Sequence, residues 1–287
     1  MVQGITGAVG ARQTRLSLDY GTNVVAGVTP GKGGEVVEGL PVYDEVGEAV
    51  ENHGANASVV FVPAQYAPKA VHDALDAGIT LIALITEHIP VRDALGLKSH
   101  AADCGAVIIG PNCPGLLSTR IGRMGIIPCQ AVSPGRVGVV SRSGTLAFEV
   151  AADLTAAGIG QSTIVGIGGD PVPCTPFVDV LAAFEEDSET DAVVLVGEIG
   201  GAAEEKAAHY IERTMSKPVL AYVAGLSAPP GKKMGHAGAI VRGSSGTAAS
   251  KIAALRSAGV TVAEQPSDLP RLLLERLAAT GRSAGAG

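Results

Sequence analysis

ITLIALITEHIPVRDALGLKSHAADCGAVIIG, residues 79–110, is the stretch on which the fold turns. Leu81, Ile82, Ala83, Leu84 and Ile85 are apolar without alternation, as in a strand whose sheet is covered on both faces. Pro90 opens a helical stretch over 91–104, and 106–110 returns as a second β-branched run. Strand, helix and strand within some thirty residues make a βαβ unit, which requires a parallel sheet. The same alternation extends backwards through strands at 23–28 and 57–62 and helices at 8–20, 42–52 and 67–77. A doubly wound α/β domain is therefore expected, placed at 1–112.

Pro111, Pro114, Pro128 and Pro134, with several glycines, interrupt the pattern, so 113–134 reads as a linker. A second α/β series fills 135–287, with strands at 136–141, 161–167, 192–197, 218–223 and 260–263. Its helices fall at 145–157, 176–186, 202–215, 247–258 and 268–278, and the small, polar tail 281–287 is expected to fray. The length of 287 residues suits two domains at roughly 100 to 200 residues each.

Composition narrows the function. Twenty-one Lys and Arg against 28 Asp and Glu give a net charge of −7, which argues against a non-specific grip on nucleic acid or an anionic membrane. Five Tyr, four Phe and no Trp leave no stacking platform for single strands. The apolar runs fall far short of the ~20 residues of a membrane helix, so a soluble protein is expected. Cys104, Cys113, Cys129 and Cys174 show no Cys-x-x-Cys spacing, and the chain opens without a basic or apolar leader. Reduced thiols and a cytoplasmic location follow as expectations.

In open parallel sheets, ligands lie beyond the carboxyl ends of the strands. Gly4-Ile5-Thr6-Gly7-Ala8-Val9-Gly10 opens the first helix with a glycine every third residue, which lets backbone N–H groups approach a phosphate. It is not a strict G-x-G-x-x-G, and a plain tight corner is the alternative. An NAD site would place a carboxylate about 20 residues further on. Here stands Thr29-Pro30-Gly31-Lys32-Gly33-Gly34, and Lys32 favours a more phosphorylated ligand such as NADP or coenzyme A, with a solvated turn lysine as the alternative. In the second domain Ser141-Arg142-Ser143-Gly144-Thr145 runs into a helix. Its hydroxyls and amides form either an anion cradle or a simple N-cap.

Gly197-Glu198-Ile199-Gly200-Gly201 places a carboxylate at the same sheet edge. A long loop at 225–238 carries Lys232-Lys233-Met234-Gly235-His236-Ala237-Gly238. His236, flanked by glycines, is the strongest nucleophile candidate, suited to forming and breaking a phosphohistidine. No second His or Cys stands at a metal-ligand spacing from it, so no metal site is expected.

Seven blocks in order carry a family resemblance: 27–34, Ile85-Thr86-Glu87 and 110–115 in the first half, then 141–146, 166–171, 197–201 and Met234-Gly235-His236-Ala237-Gly238-Ala239. Across nearly the whole chain the sequence resembles the α subunits of succinyl-CoA synthetases (succinate–CoA ligases). The resemblance implies a Rossmann-like CoA-binding domain, a flavodoxin-like domain, and a separate β subunit that binds ATP or GTP with Mg2+, in an αβ unit or a dimer of such units. It implies that Thr6, Gly7, Ala8, Val9, Lys32, Ile85, Thr86 and Glu87 hold CoA, with Asn112 and Cys113 near its thiol end. His236 would be phosphorylated and Glu198 would orient it, while Ser143, Gly144 and Thr145 would hold the phosphoryl group.

Phe148 stands where the family usually carries Tyr, on the substrate side, and Pro173-Cys174-Thr175-Pro176 also departs from the usual run. A ligase of the same architecture for malate or another short acid, and a non-catalytic CoA-binding module, are the alternative readings. Only about three residues precede the glycine loop, against a mean strand of about 5 to 6, so a start set too late is expected. With both domains assigned, no length remains for a nucleotide-grasping domain, and catalysis is expected to need the partner.

Overall fold

The computed structural model describes residues 1–228, 234–241 and 246–279. Lys232, Lys233 and the tail 281–287 lie outside the described residues. The chain forms two compact units: Met1–Leu117 with Ile121–Ile127 and Val172–Thr175, and Ser118–Arg120 with Pro128–Pro171 and Pro176–Gly287.

The first unit contains strands β1 (Val2–Gln3), β2 (Gly27–Val28), β3 (Val36–Val37), β4 (Leu40–Tyr43), β5 (Ala57–Val60), β6 (Leu81–Leu84) and β7 (Val107–Ile109). Helices α1 (Ala8–Asp19), α2 (Val46–His53), α3 (Ala67–Asp76) and α4 (Val91–Asp103) connect them. The sheet order is β3-β4-β2-β1-β5-β6-β7, parallel except for the β3–β4 hairpin. With that hairpin's outer strand set aside, the first strand is central and the next two lie to one side and the last three to the other. This is the Rossmann order, with its switch point between β1 and β5.

Ile82, Ala83 and Leu84 are fully buried, which explains the missing alternation. Each large side chain so covered is worth about 1.5–3 kcal/mol. The core around Ile82 and Leu84 is completed by Val71, Ala74 and Leu75 of α3 and Ala94, Leu97 and Ala101 of α4, residues spaced three or four apart along their helices.

The expected helix at 42–52 is corrected at its start. Leu40–Tyr43 is a strand, and the helix begins only at Val46, where Glu45 and Glu48 form a capping box. The linker also holds two strands that the sequence pattern hides, β8 (Gly115–Ser118) and β9 (Gly122–Gly125). Gly115 has φ +84°, and a Cβ there would lie 1.9 Å from the Met124 carbonyl oxygen. Glycine thus marks a close approach of two backbones, where propensity alone reads a loop.

The second unit adds β10 (Pro134–Ser141), β11 (Gln161–Gly166), β12 (Ala192–Glu198), β13 (Val219–Ala224) and β14 (Thr261–Val262). Its helices are α5 (Gly144–Ala156), α6 (Phe177–Glu186), α7 (Ala203–Thr214), α8 (Ala248–Ser257) and α9 (Leu269–Ala279). These strands are parallel in the order β14-β13-β12-β10-β11. Counted from β10 that is 2-1-3-4-5 reversed, the flavodoxin-like arrangement, whose switch point lies between β10 and β12. Every residue of β12 is buried. Among the described residues no helix is long and apolar enough to cross a membrane.

Candidate active site

In the first unit the turn after β1 is shaped by close backbone contacts. Gly4 has φ +79°, and a Cβ on Gly10 would lie 2.2 Å from the Gly4 carbonyl oxygen, so the turn folds directly onto α1. Gly7 caps that helix without a side-chain hydrogen bond. Beside it lies a cleft of about 860 Å³, lined in part by Gly4, Thr6, Gly7, Thr29, Pro30 and Tyr66. In its wall Thr6 donates to Thr29 at 3.2 Å. A cradle of this size and construction, at the Rossmann switch point, fits the pyrophosphate of a nucleotide-like ligand.

The other residues expected at CoA divide. Ala8 and Val9 are exposed at the start of α1, and Lys32 is exposed in a turn fixed elsewhere. The amides of Lys32 and Gly33 both donate to Asp44 at 2.9 Å, and the Lys32 ammonium reaches Glu35 at 2.9 Å. The Gly33 amide is the main cause that holds the Asp44 carboxyl below its ordinary value. Ile85 is half-buried, the Thr86 hydroxyl donates to the Val62 carbonyl at 2.7 Å, and Glu87 is exposed beside His88. Asn112, at φ 54°, donates its amide to the Thr86 carbonyl at 3.0 Å. Cys113 is buried, with its thiol 3.3 Å from the Leu84 carbonyl oxygen. Thr6 and Gly7 line the cleft, whereas Ala8, Val9, Lys32, Ile85, Thr86, Glu87, Asn112 and Cys113 do not.

In the second unit the switch point is charged. Glu198 ends β12 and its Oε2 lies 2.8 Å from His236 Nδ1. A carboxylate can only accept, so the neutral imidazole carries its proton on Nδ1 and leaves the Nε2 lone pair outward. Glu198 is 8% exposed at its side chain and His236 is 30% exposed. That hydrogen bond is the largest cause raising the His236 pKa above its ordinary 6.5, against an opposing effect of burial. The contact needs glycine. A Cβ on Gly169 would lie 2.2 Å from the imidazole Cγ, and one on Gly200 would lie 2.0 Å from the Gly238 carbonyl oxygen. The Gly238 amide donates to the Gly169 carbonyl at 2.9 Å, tying the histidine loop to the loop that follows β11.

Glu198 Oε1 has no hydrogen-bond partner among the described residues, but it lies 3.3 Å from Arg142 Nη2 as an ion pair. Arg142, the residue after β10, also donates from Nη1 to the Gly200 carbonyl at 3.1 Å and to Glu204 Oε1 at 3.3 Å. Glu204 Oε1 accepts the Glu198 amide at 3.0 Å, and its Oε2 is paired with Lys251. Glu204 and Lys251 are both fully buried.

The residues expected at the phosphoryl group stand at the start of α5. Ser143 is the N-cap of α5 and its hydroxyl accepts the Leu146 amide at 3.3 Å. Gly144 and Thr145 follow in the first turn, Thr145 exposed, and Phe148 is half-buried one turn further on. The structure brings His236 and Glu198 together and seats Ser143 next to Arg142, the residue that reaches Glu198.

Arg142, Glu204 and Lys251 were missed as site residues. The signal for the two helical ones was spacing: Glu204 shares a face with Ala207, Ala208 and Ile211, and Lys251 with Ala248 and Leu255. A charge at an apolar-face position must be buried and paired.

The first half of the chain matches the CoA binding domain family over residues 1–88, and the second matches the CoA-ligase family over residues 140–261. Succinate–CoA ligase [ADP-forming] subunit alpha 2 of Archaeoglobus fulgidus is 58% identical over 277 residues, covering 96% of both chains. The chain belongs to the succinate–CoA ligase α-subunit family. The Staphylococcus epidermidis member is 54% identical over 275 residues, covering 96% of this chain and 91% of its own. Among solved structures, ATP citrate lyase from Methanothrix soehngenii in complex with citrate and coenzyme A superposes with a TM-score of 0.89 at 24% identity. It covers 98% of this chain, which spans 50% of that one, and shows the shared fold. Membership of the family makes the protein an α/β acid–thiol ligase subunit with a CoA-binding domain followed by a CoA-ligase domain.

Proposed function

We propose that this chain, with a β subunit, joins succinate to CoA at the expense of ATP or GTP, through a phosphoryl group carried on His236. The observation that carries the reading is the 2.8 Å contact from His236 Nδ1 to a nearly buried Glu198. Glu198 fixes the tautomer and stabilises the cation that forms when Nε2 bonds to phosphorus.

In the first step the Nε2 lone pair attacks the γ-phosphorus of the nucleotide, and the bond to the β–γ bridging oxygen breaks to release the diphosphate. In the second a succinate carboxylate oxygen attacks the same phosphorus, and the P–N bond electrons return to Nε2. In the third the CoA thiolate attacks the acyl carbon of succinyl phosphate, forming the thioester and expelling phosphate. The N-terminus of α5, with Ser143, Gly144 and Thr145, supplies amide dipoles for the phosphoryl oxygens. The glycine turn at 4–10 takes the CoA pyrophosphate, with Thr6 and Gly7 in the cleft, Lys32 and Glu87 reached by its outer parts and Asn112 towards its thiol end. The nucleotide and its Mg2+, which neutralises the phosphate charge, are assigned to the β subunit. Phe148 offers the acid an apolar edge where a hydroxyl would donate.

The test is to combine both subunits with ATP or GTP, succinate and CoA and follow thioester formation together with diphosphate release. Thioester that requires both subunits and succinate supports the reading. Thioester with malate but none with succinate would refute the choice of acid.

A further inference from the structure

Three buried charges, Arg142, Glu204 and Lys251, lie behind the His236–Glu198 pair. Arg142 touches the Glu198 carboxylate and carbonyl, the Gly200 carbonyl and Glu204. Glu204 in turn holds the Glu198 amide, and Lys251 holds Glu204, the Gly201 carbonyl at 3.1 Å and Glu205 at 3.2 Å. The fold makes room for this: a Cβ on Gly197 would lie 2.6 Å from Glu204 Cγ, so glycine there is what lets the α7 carboxylate come up against β12. Two buried cations stand against two buried carboxylates, and replacing such a set with apolar side chains is often neutral for stability or better. Its retention at the end of β12 calls for another reason.

We propose that Arg142, Glu204 and Lys251 are positioning residues of the phosphohistidine site, a buried charge chain from α8 through α7 that directs one Glu198 oxygen onto His236 Nδ1 and leaves only Nε2 to be phosphorylated. The inference rests on the phosphohistidine reading given above. Lys251 anchors Glu204, Glu204 fixes the Arg142 fork from one side, and the fork holds Glu198 Oε1 from the other. A carboxylate held at one oxygen and at its own backbone amide cannot turn away from the imidazole. Without Lys251, Glu204 draws Arg142 to itself, Glu198 is released, and Nδ1 becomes a competing nucleophile.

The test uses the complete complex with γ-labelled nucleotide. The variants are Glu204→Gln/Lys251→Met, which removes both charges while keeping an acceptor for the Glu198 amide, and Arg142→Lys, which keeps the charge but loses the fork. The label rate is read by rapid quench, and the phosphorylated nitrogen by ³¹P NMR of the denatured chain. Thermal unfolding and CoA titration report folding. The expected result is labelling slowed by about tenfold or more, as for removal of groups that orient a histidine ligand, with KM for the nucleotide unchanged and a share of the label moved to Nδ1. A merely structural role would lower thermal stability and leave the phosphorylated nitrogen unchanged. Should the double variant fail to fold, Arg142→Lys decides by the same two readouts. Labelling within about twofold of wild type, on Nε2 alone, overturns the inference and leaves the phosphohistidine reading standing. Absence of label in wild type with an active partner overturns both.

Discussion

Gly169→Ala tests the histidine site at its tightest contact. The added Cβ would stand 2.2 Å from His236 Cγ, 2.5 Å from Nδ1 and 2.7 Å from its Cβ. Carbon atoms rest at about 3.5–4.0 Å, so the imidazole must retreat by more than about 1 Å. That takes Nδ1 from 2.8 Å to the limit of a hydrogen bond with Glu198. Misplacing a reacting group by about 1 Å costs about 10²-fold in rate, or about 2.7 kcal/mol of barrier. The backbone has no objection, because Gly169 does not occupy the left-handed region. The unfolded chain even loses entropy, which favours Ala by about 0.4–1 kcal/mol. The substitution should therefore separate activity from stability. In rapid-quench labelling of the complete complex, Gly169→Ala should be slowed by about 10²-fold with CoA binding and thermal unfolding close to wild type. A rate within about tenfold of wild type would refute the reasoning, because it would mean that the observed His236 geometry is not the reactive one.

Three other expectations follow from the same geometry. His236 is nucleophilic only when neutral and its folded pKa lies above 6.5, so the labelling rate should rise with pH through a midpoint above that value. Glu198→Gln should move the midpoint down, and a midpoint unmoved in that variant would contradict the assigned cause. For stability the sign reverses: protonated His236 favours the fold at pH below 6.5, and that contribution fades as pH rises through the raised value, which urea unfolding across the range would detect. Gly10→Ala places a Cβ 2.2 Å from the backbone oxygen of Gly4, which cannot yield, so the first unit should lose about 1–3 kcal/mol and its CoA affinity. Calorimetry showing wild-type CoA affinity would count against the cradle.

How far the sequence disclosed this can be seen in particular elements. The unbroken apolar run at 81–85 announced a parallel sheet because both faces of β6 are covered, and the structure puts Ile82, Ala83 and Leu84 at zero exposure. Leu40–Tyr43 was hidden because a short strand followed directly by a helix offers too few residues for either period to register. The linker strands were hidden because Gly115 and Gly125 read as loop residues, although their missing side chains are what lets the two backbones approach. At the site, His236 and Glu198 were legible as polar residues among glycines on loops at the sheet edge. Arg142 gives no sign of its role between two serines at a strand end, while Glu204 and Lys251 sit in helices, where charge usually faces water. Their spacing on the apolar faces of α7 and α8 hints at burial, and the pairing of the two helices identifies the partner.

The most direct measurement is the label itself. Incubated with its β partner and γ-labelled ATP or GTP, the chain should take up acid-labile, base-stable phosphate that is discharged by succinate and is absent in His236→Asn. A wild-type chain that stays unlabelled beside an active partner, or a His236→Asn chain that labels normally, would contradict the account.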